Sequence, residues 1–194
     1  MTVECTRVSL SNVAPRDKTG KDTHCLRFYQ DAFHWVLSQI PNQFGEPVTI
    51  IDPFARNCPW AHPLTNDINT DTHAQFNMDA YDFLKFLNEE RGYHNDVDLC
   101  LWDPPFSSRQ SVEKYNETAN VYTVPGYVKD CMNQISLLLK PGGWLLKLGY
   151  NTSQHHPCFD LKQAWVVNSG GNRNDILVTA WQYNQHTLCT QSRG

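Results

Sequence analysis

Twice along this chain a short apolar run stops at Asp-Pro. Val48-Thr49-Ile50-Ile51 ends at Asp52-Pro53, and the run from Val97 to Trp102 ends at Asp103-Pro104-Pro105-Phe106. Short runs rich in β-branched and bulky apolar residues read as buried strands. Proline lacks an N–H and has a fixed φ, so it does not continue a central strand. Each run therefore stops at its aspartate, and a carboxylate stands at the carboxyl end of a buried strand. A third strong run, Trp144 to Leu148, follows the breaker Pro141-Gly142-Gly143. A weaker strand is expected near Leu64-Thr65-Asn66.

Helical periodicity fills the intervals. Leu26, Tyr29, Phe33, Val36, Leu37 and Ile40 recur at helical spacing and stop before Pro41. Asp79 is a plausible N-cap for a helix burying Ala80, Phe83, Leu84 and Leu87. Val128, Cys131, Ile135, Leu138 and Leu139 mark another helix. Gln163 to Asn168 and Ile176 to Tyr183 flank Ser169-Gly170-Gly171-Asn172-Arg173-Asn174, which reads as a hairpin with a glycine-rich turn. The order predicts an α/β three-layer sandwich, its sheet mostly parallel with a C-terminal antiparallel hairpin. Ligands in such sheets bind at the carboxyl ends of the strands. The segments after Ile51, Trp102 and Leu148 are thereby gathered along one edge.

The 194 residues fit a single domain. Residues 1–25 read as an N-terminal arm or loop. No apolar stretch reaches the roughly 20 residues that span a bilayer, and Met1 to Cys5 has no signal-peptide pattern. The 7 cysteines are odd in number, widely spaced and without C-x-x-C, so neither a disulfide framework nor a zinc site is expected. Cys100 and Cys131 read as core thiols, and a reducing cytoplasm is the expected compartment. His155-His156-Pro157-Cys158 reads as a solvated loop in preference to a metal site. With 16 Lys and Arg against 20 Asp and Glu, the net charge of −4 disfavours a protein that coats nucleic acid by charge alone.

Asp103-Pro104-Pro105-Phe106 carries the sharpest chemistry. Two prolines fix the backbone and leave neighbouring carbonyls without donors. Asp103 adds a carboxylate acceptor, and Phe106 adds a flat apolar face. Acceptors beside an aromatic plate suit an amino-bearing heterocycle. Hydrogen bonds from its NH₂ to Asp103 and to a backbone carbonyl would orient the nitrogen lone pair and stabilise the positive charge of its attack. The plainer reading is a tight strand-to-loop turn. Asp52-Pro53-Phe54-Ala55-Arg56-Asn57-Cys58 opens a second turn at a strand end, where a cofactor would lie. Asn66-Asp67-Ile68-Asn69 offers an acid for ribose hydroxyls. Asn77-Met78-Asp79-Ala80 offers one for an adenine amino group. Each acid alone reads more readily as a cap or turn residue than as a ligand-binding one.

These motifs together resemble the S-adenosylmethionine-dependent amino-methyltransferases of the DNA adenine type. Asp103-Pro104-Pro105-Phe106 matches that family's D-P-P-Y/F motif, and Asp52-Pro53-Phe54 matches the start of its D-P-F-x-G-x-G cofactor motif. Lys140-Pro141-Gly142-Gly143-Trp144 resembles the turn before strand five of class I methyltransferases. D-P-F-A-R-N, T-N-D-I-N, D-P-P-F-S-S-R-Q and G-G-N-R-N-D resemble segments of small phage-encoded DNA methyltransferases. The resemblance spans residues 48 to 183. It implies a Rossmann-like fold and methyl transfer from S-adenosylmethionine to an adenine amino group in DNA. It implies that Asp52, Pro53, Phe54, Ala55 and Asn57 line the methionine part of the cofactor. Asp67 would hold the ribose hydroxyls, with Asn69 also at the cofactor, and Asp79 and Ala80 would serve the adenine. Asp103, Pro104, Pro105 and Phe106 would hold the target base. Residues 107–125 would form a substrate loop, with Arg109 and Lys114 for phosphate and Tyr115 and Tyr122 for stacking.

The chain departs from that pattern twice. The cofactor glycines are absent, the loop reading Ala55-Arg56-Asn57-Cys58. Glycine allows positive φ; asparagine is its best substitute, so Asn57 is expected to carry that conformation. The length also leaves no room for a separate target-recognition domain. A base must leave its stack to reach Asp103. The sequence therefore favours a single-stranded or loosely specific substrate, a homodimer, or a protein partner. An RNA guanine or adenine amino-methyltransferase and an inactive binding module of the same fold stay open as alternatives.

Overall fold

The structure, a computed structural model, describes residues 3–9, 23–41, 45–105, 120–152, 156–168 and 175–185. Six strands form one sheet: β1 (Glu4–Ser9), β2 (Ile50–Ile51), β3 (Val97–Trp102), β4 (Leu139–Gly149), β5 (Phe159–Asn168) and β6 (Ile176–Tyr183). Their spatial order is β1-β5-β6-β4-β3-β2. β2, β3 and β4 run parallel, with Ile51 level with Cys100 and Trp102 level with Lys147. β6 is antiparallel to both β4 and β5. The expected fold class is the observed one, an α/β sandwich whose sheet is mostly parallel with a C-terminal antiparallel pair. The turn between β5 and β6 lies outside the described residues.

Strand alternation makes the three layers. Leu99, Leu101, Trp144, Leu146 and Leu148 meet Phe28, Tyr29, Ala32, Phe33 and Val36 of helix α1 (Arg27–Gln39). Cys100, Trp102 and Leu145 face the other way. They meet Phe83, Leu84 and Leu87 of α2 (Ala80–Glu89) and Cys131, Ile135 and Leu138 of α4 (Tyr127–Leu138). A short helix, α3 (Asn120–Thr123), precedes α4. Burying each of these large apolar side chains is worth roughly 1.5–3 kcal/mol. Among the described residues no helix is long and apolar enough to cross a membrane.

Several elements differ from expectation. Within the expected arm, Glu4–Ser9 is a strand paired in parallel with β5. It sits at the sheet's edge with exposed polar side chains, so no apolar alternation announces it. The run Val48–Ile51 shrinks to Ile50–Ile51 because the Thr49 amide donates to Asp98 Oδ2 at 2.9 Å. The weak strand near Leu64–Asn66 is reduced to isolated bridges, Asp52 with Thr65 and Asn66 with Phe76. Cys158, expected in a solvated loop, is fully buried in the core on the α2/α4 side. Cys100 and Cys131 are buried thiols, as expected.

Pro141-Gly142-Gly143 does not break the chain before β4 but bulges inside it. Val97 pairs with Leu139 and Leu99 with Trp144, so the intervening residues are looped out. Lys140 Nζ holds the bulge to Asp98 at 2.9 and 3.0 Å. Gly142 has φ 83°. A Cβ at Gly143 would lie 2.9 Å from the Lys140 carbonyl oxygen and 3.2 Å from that of Val97. Both are backbone atoms and cannot swing away. Gly143→Ala is expected to cost about 1–3 kcal/mol, read as an earlier midpoint in urea unfolding.

Candidate active site

The parallel register of β2 and β3 brings Asp52 and Asp103 out at one edge of the sheet. Asp52 is 5% exposed and accepts the Phe54 amide on Oδ1 at 3.0 Å. Burial pushes its carboxyl well above the usual range, and the negative charges of Asp103 and Asp67 push it further, against the Phe54 amide. Asp103 and Pro104 are half-buried and Pro105 is buried. Phe106, Arg109, Lys114 and Tyr115 lie outside the described residues. Tyr122 falls in α3, and its side chain also lies outside them.

The loop after β2 is laced to the neighbouring segment. The Ala55 amide donates to the Asn66 carbonyl at 2.8 Å, and Asn66 Nδ2 donates to the Pro53 carbonyl at 3.1 Å and to the Met78 carbonyl at 3.0 Å. Phe54 packs edge-on against Trp102 with centroids 5.0 Å apart. Asn57 Oδ1 accepts the His73 amide at 3.1 Å. The positive φ expected at Asn57 occurs one residue earlier, at Arg56, with φ 49°. Arg56 stands where the resembling motif has its first glycine, so the glycine-like backbone path is kept by another residue. What holds it is Asp67, whose Oδ2 accepts the Arg56 amide at 3.1 Å. Its Oδ1 accepts the Asn69 amide at 2.9 Å. Asp67 is 2% exposed and braces this loop, while Asn69 is half-buried beside it. Asp79 caps α2, as expected, accepting the Tyr81 amide at 2.9 Å, and Ala80 is buried.

Three features of this edge were not foreseen. Tyr29 of α1 reads in sequence as one more periodic core position. Its phenol is pushed well up by burial and then by the charges of Asp103 and Asp52, so it belongs to the same acidic group. Trp60 clamps that helix, stacking on Phe33 at 4.0 Å and on Tyr29 at 5.8 Å. Lys147 is buried in β4 with Nζ 3.4 Å from Asn151 Oδ1, and desolvation pulls its ammonium down to about 8. The only sequence signals were a tyrosine where phenylalanine would pack and a lysine inside an apolar strand.

No protein-family profile matches the chain, and no curated protein matches it in sequence. Solved structures do match its fold. The one named "Putative methyltransferase yhhF from Escherichia coli" aligns over 87% of this chain and 89% of its own, with TM-score 0.52 and 12% identity. The "putative methylase HI0767 from Haemophilus influenzae" aligns over 82% of this chain and 90% of its own, with TM-score 0.50 and 13% identity. At such identities the likeness is one of fold: the chain has a methyltransferase-like α/β architecture at nearly the full length of both neighbours.

Proposed function

We propose that this chain is an S-adenosylmethionine-dependent methyltransferase acting on an exocyclic amino group of a nucleic-acid base, adenine in DNA first. The observation that carries this reading is the acidic group at the carboxyl edge of the parallel strands. Beyond burial, the charges of Asp103 and Asp67 raise the carboxyl of Asp52 there, and those of Asp103 and Asp52 raise the phenol of Tyr29. A cluster that repels its own charge attracts a cation. S-adenosylmethionine brings two, a sulfonium and an ammonium, and supplies an electrophilic methyl group when bound. The loop fits it as well, because Arg56 at φ 49° leaves the backbone on the path a glycine would take. Ile68, 43% exposed beside Asp67, offers an apolar face for a purine ring.

In this reading Asp52 to Asn57 hold the methionine part, with the Asp67–Asn69 turn on the ribose side and Asp79 with Ala80 at the adenine. Asp103 and the Pro104 carbonyl accept the two protons of the target amine, and Phe106 stacks on the base. Hydrogen bonds in that plane leave the nitrogen lone pair directed at the methyl group. With S-adenosylmethionine bound as methyl donor, Asp103 and the Pro104 carbonyl would stabilise the positive charge that develops on the attacking nitrogen. Arg109, Lys114, Tyr115 and Tyr122 are proposed to grip the strand. Lys147 adds a positive group on the β4 side of the same edge.

Calorimetry with S-adenosylmethionine, followed by transfer of a tritiated methyl group to DNA, RNA and protein pools, tests the assignment. The expected result is saturable binding and label in DNA that digests to N6-methyladenine. Label in RNA alone would replace the substrate, and no binding at millimolar cofactor would sink the enzyme reading.

A further inference from the structure

Asp79 has more donors than a helix cap needs. One acceptor suffices to cap α2, and the Tyr81 amide on Oδ1 supplies that bond at 2.9 Å. Yet the Tyr127 hydroxyl, from the first residue of α4, donates to the same Oδ1 at 2.8 Å. Asn120 Nδ2, from α3, donates to Oδ2 at 2.9 Å. The Tyr127 oxygen in turn accepts the Tyr81 amide at 3.2 Å. Three elements thus converge on one carboxylate. Tyr127 is only 7% exposed, and Gly126 at φ 81° sets the chain for it to enter here.

The donor count has a chemical consequence. A carboxylate offers about four acceptor sites. Oδ1 is filled by the amide and the phenol, and Oδ2 takes Asn120, which among the described residues leaves one site on Oδ2. With both oxygens tied, the carboxylate cannot rotate to present another. We propose that Tyr127 and Asn120 are positioning residues that make the cofactor site selective for an amino-bearing purine, by fixing the last acceptor site of Asp79 toward an exocyclic NH₂. This rests on the cofactor assignment made above. A purine bearing a carbonyl in place of the amine would set acceptor against acceptor, and sites built on a polar contact reject the mismatched analogue strongly. The phenol keeps its proton at all ordinary pH, raised by burial, then by the Cys131 thiol, then by Asp79 itself. Tyr127 is therefore a constant donor.

The test compares two unreactive ligands by calorimetry, S-adenosylhomocysteine and its deaminated counterpart S-inosylhomocysteine. A hydrogen bond to a charged group is worth roughly 1.5–3 kcal/mol, so the wild type is expected to prefer the amine by about 10- to 150-fold. In Tyr127→Phe the preference is expected to fall to about threefold or less, with S-inosylhomocysteine bound as in the wild type. Asn120→Ala, an exposed change, should reduce the preference in part. Thermal unfolding of each variant is followed alongside. Equal losses for both ligands, or an unchanged preference, would reduce these residues to scaffolding and overturn the proposal. Equal binding of both ligands by the wild type would overturn it while leaving the methyltransferase reading intact. Binding of neither by the wild type would remove that reading as well.

Discussion

Asp103→Ala is expected to abolish methyl transfer while leaving the affinity for S-adenosylmethionine within about threefold. Removing one preorganised group that faces developing charge costs on the order of 10²–10³ in kcat, and here the lost group also orients the nucleophile. Cofactor affinity is spared for a specific reason. Asp103 contributes negative charge to the site, but that same charge raises the carboxyl of Asp52. Deleting it lets Asp52 ionise more readily, so one anion replaces part of the other. Asp103→Asn keeps an acceptor oxygen and loses the charge, and its turnover should fall between wild type and alanine. Single-turnover rates with saturating cofactor, set beside calorimetric affinities, separate the two effects. Near-normal turnover in the alanine variant would show that another group accepts the target amine.

The core of this fold was legible because its signals are local. The strand at Val97–Trp102, the helix capped by Asp79 and the helix through Cys131 and Ile135 appear where periodicity and capping place them. The sheet's outer parts were not, because their stability is borrowed from neighbours. β1 carries exposed polar residues and exists through its pairing with β5. The Leu64–Asn66 segment divides its backbone hydrogen bonds between the Asp52 loop on one side and Phe76 on the other, so it makes single bridges in place of a strand. The bulge at Pro141-Gly142-Gly143 looks like a break in sequence because register is a property of two strands. The site was legible as motifs at strand ends. Its electrostatics were not. Tyr29 lies 23 residues before Asp52 in sequence yet shares its charge environment, and only the packing of α1 on the sheet brings them together.

Asp52→Asn is expected to stabilise the ligand-free protein at neutral pH and to weaken cofactor binding by about 10- to 150-fold. The stability effect follows from the direction of the Asp52 shift. Its native carboxyl titrates well above the usual range, whereas an unfolded aspartate titrates near about 3.9. The native state therefore holds the proton more tightly, and stability falls as pH rises from about 4 through the native value. Asparagine does not titrate, and its side-chain oxygen can still accept the Phe54 amide that Asp52 holds at 3.0 Å. The variant's higher Tm should accordingly vanish near pH 4 and widen toward neutrality. Binding runs the opposite way. Wild-type affinity for the cationic cofactor should rise with pH as Asp52 loses its proton, and the variant's should not follow this rise. The binding loss at neutral pH reflects a charge-assisted hydrogen bond of roughly 1.5–3 kcal/mol. Scanning calorimetry across pH and titration calorimetry at two pH values measure both. A variant that melts earlier at pH 7 yet binds normally would mean that Asp52 only ties the loop after β2. A variant that melts later and binds weakly would mean that stability is given up at this carboxylate to keep a negative charge where a cation must lie.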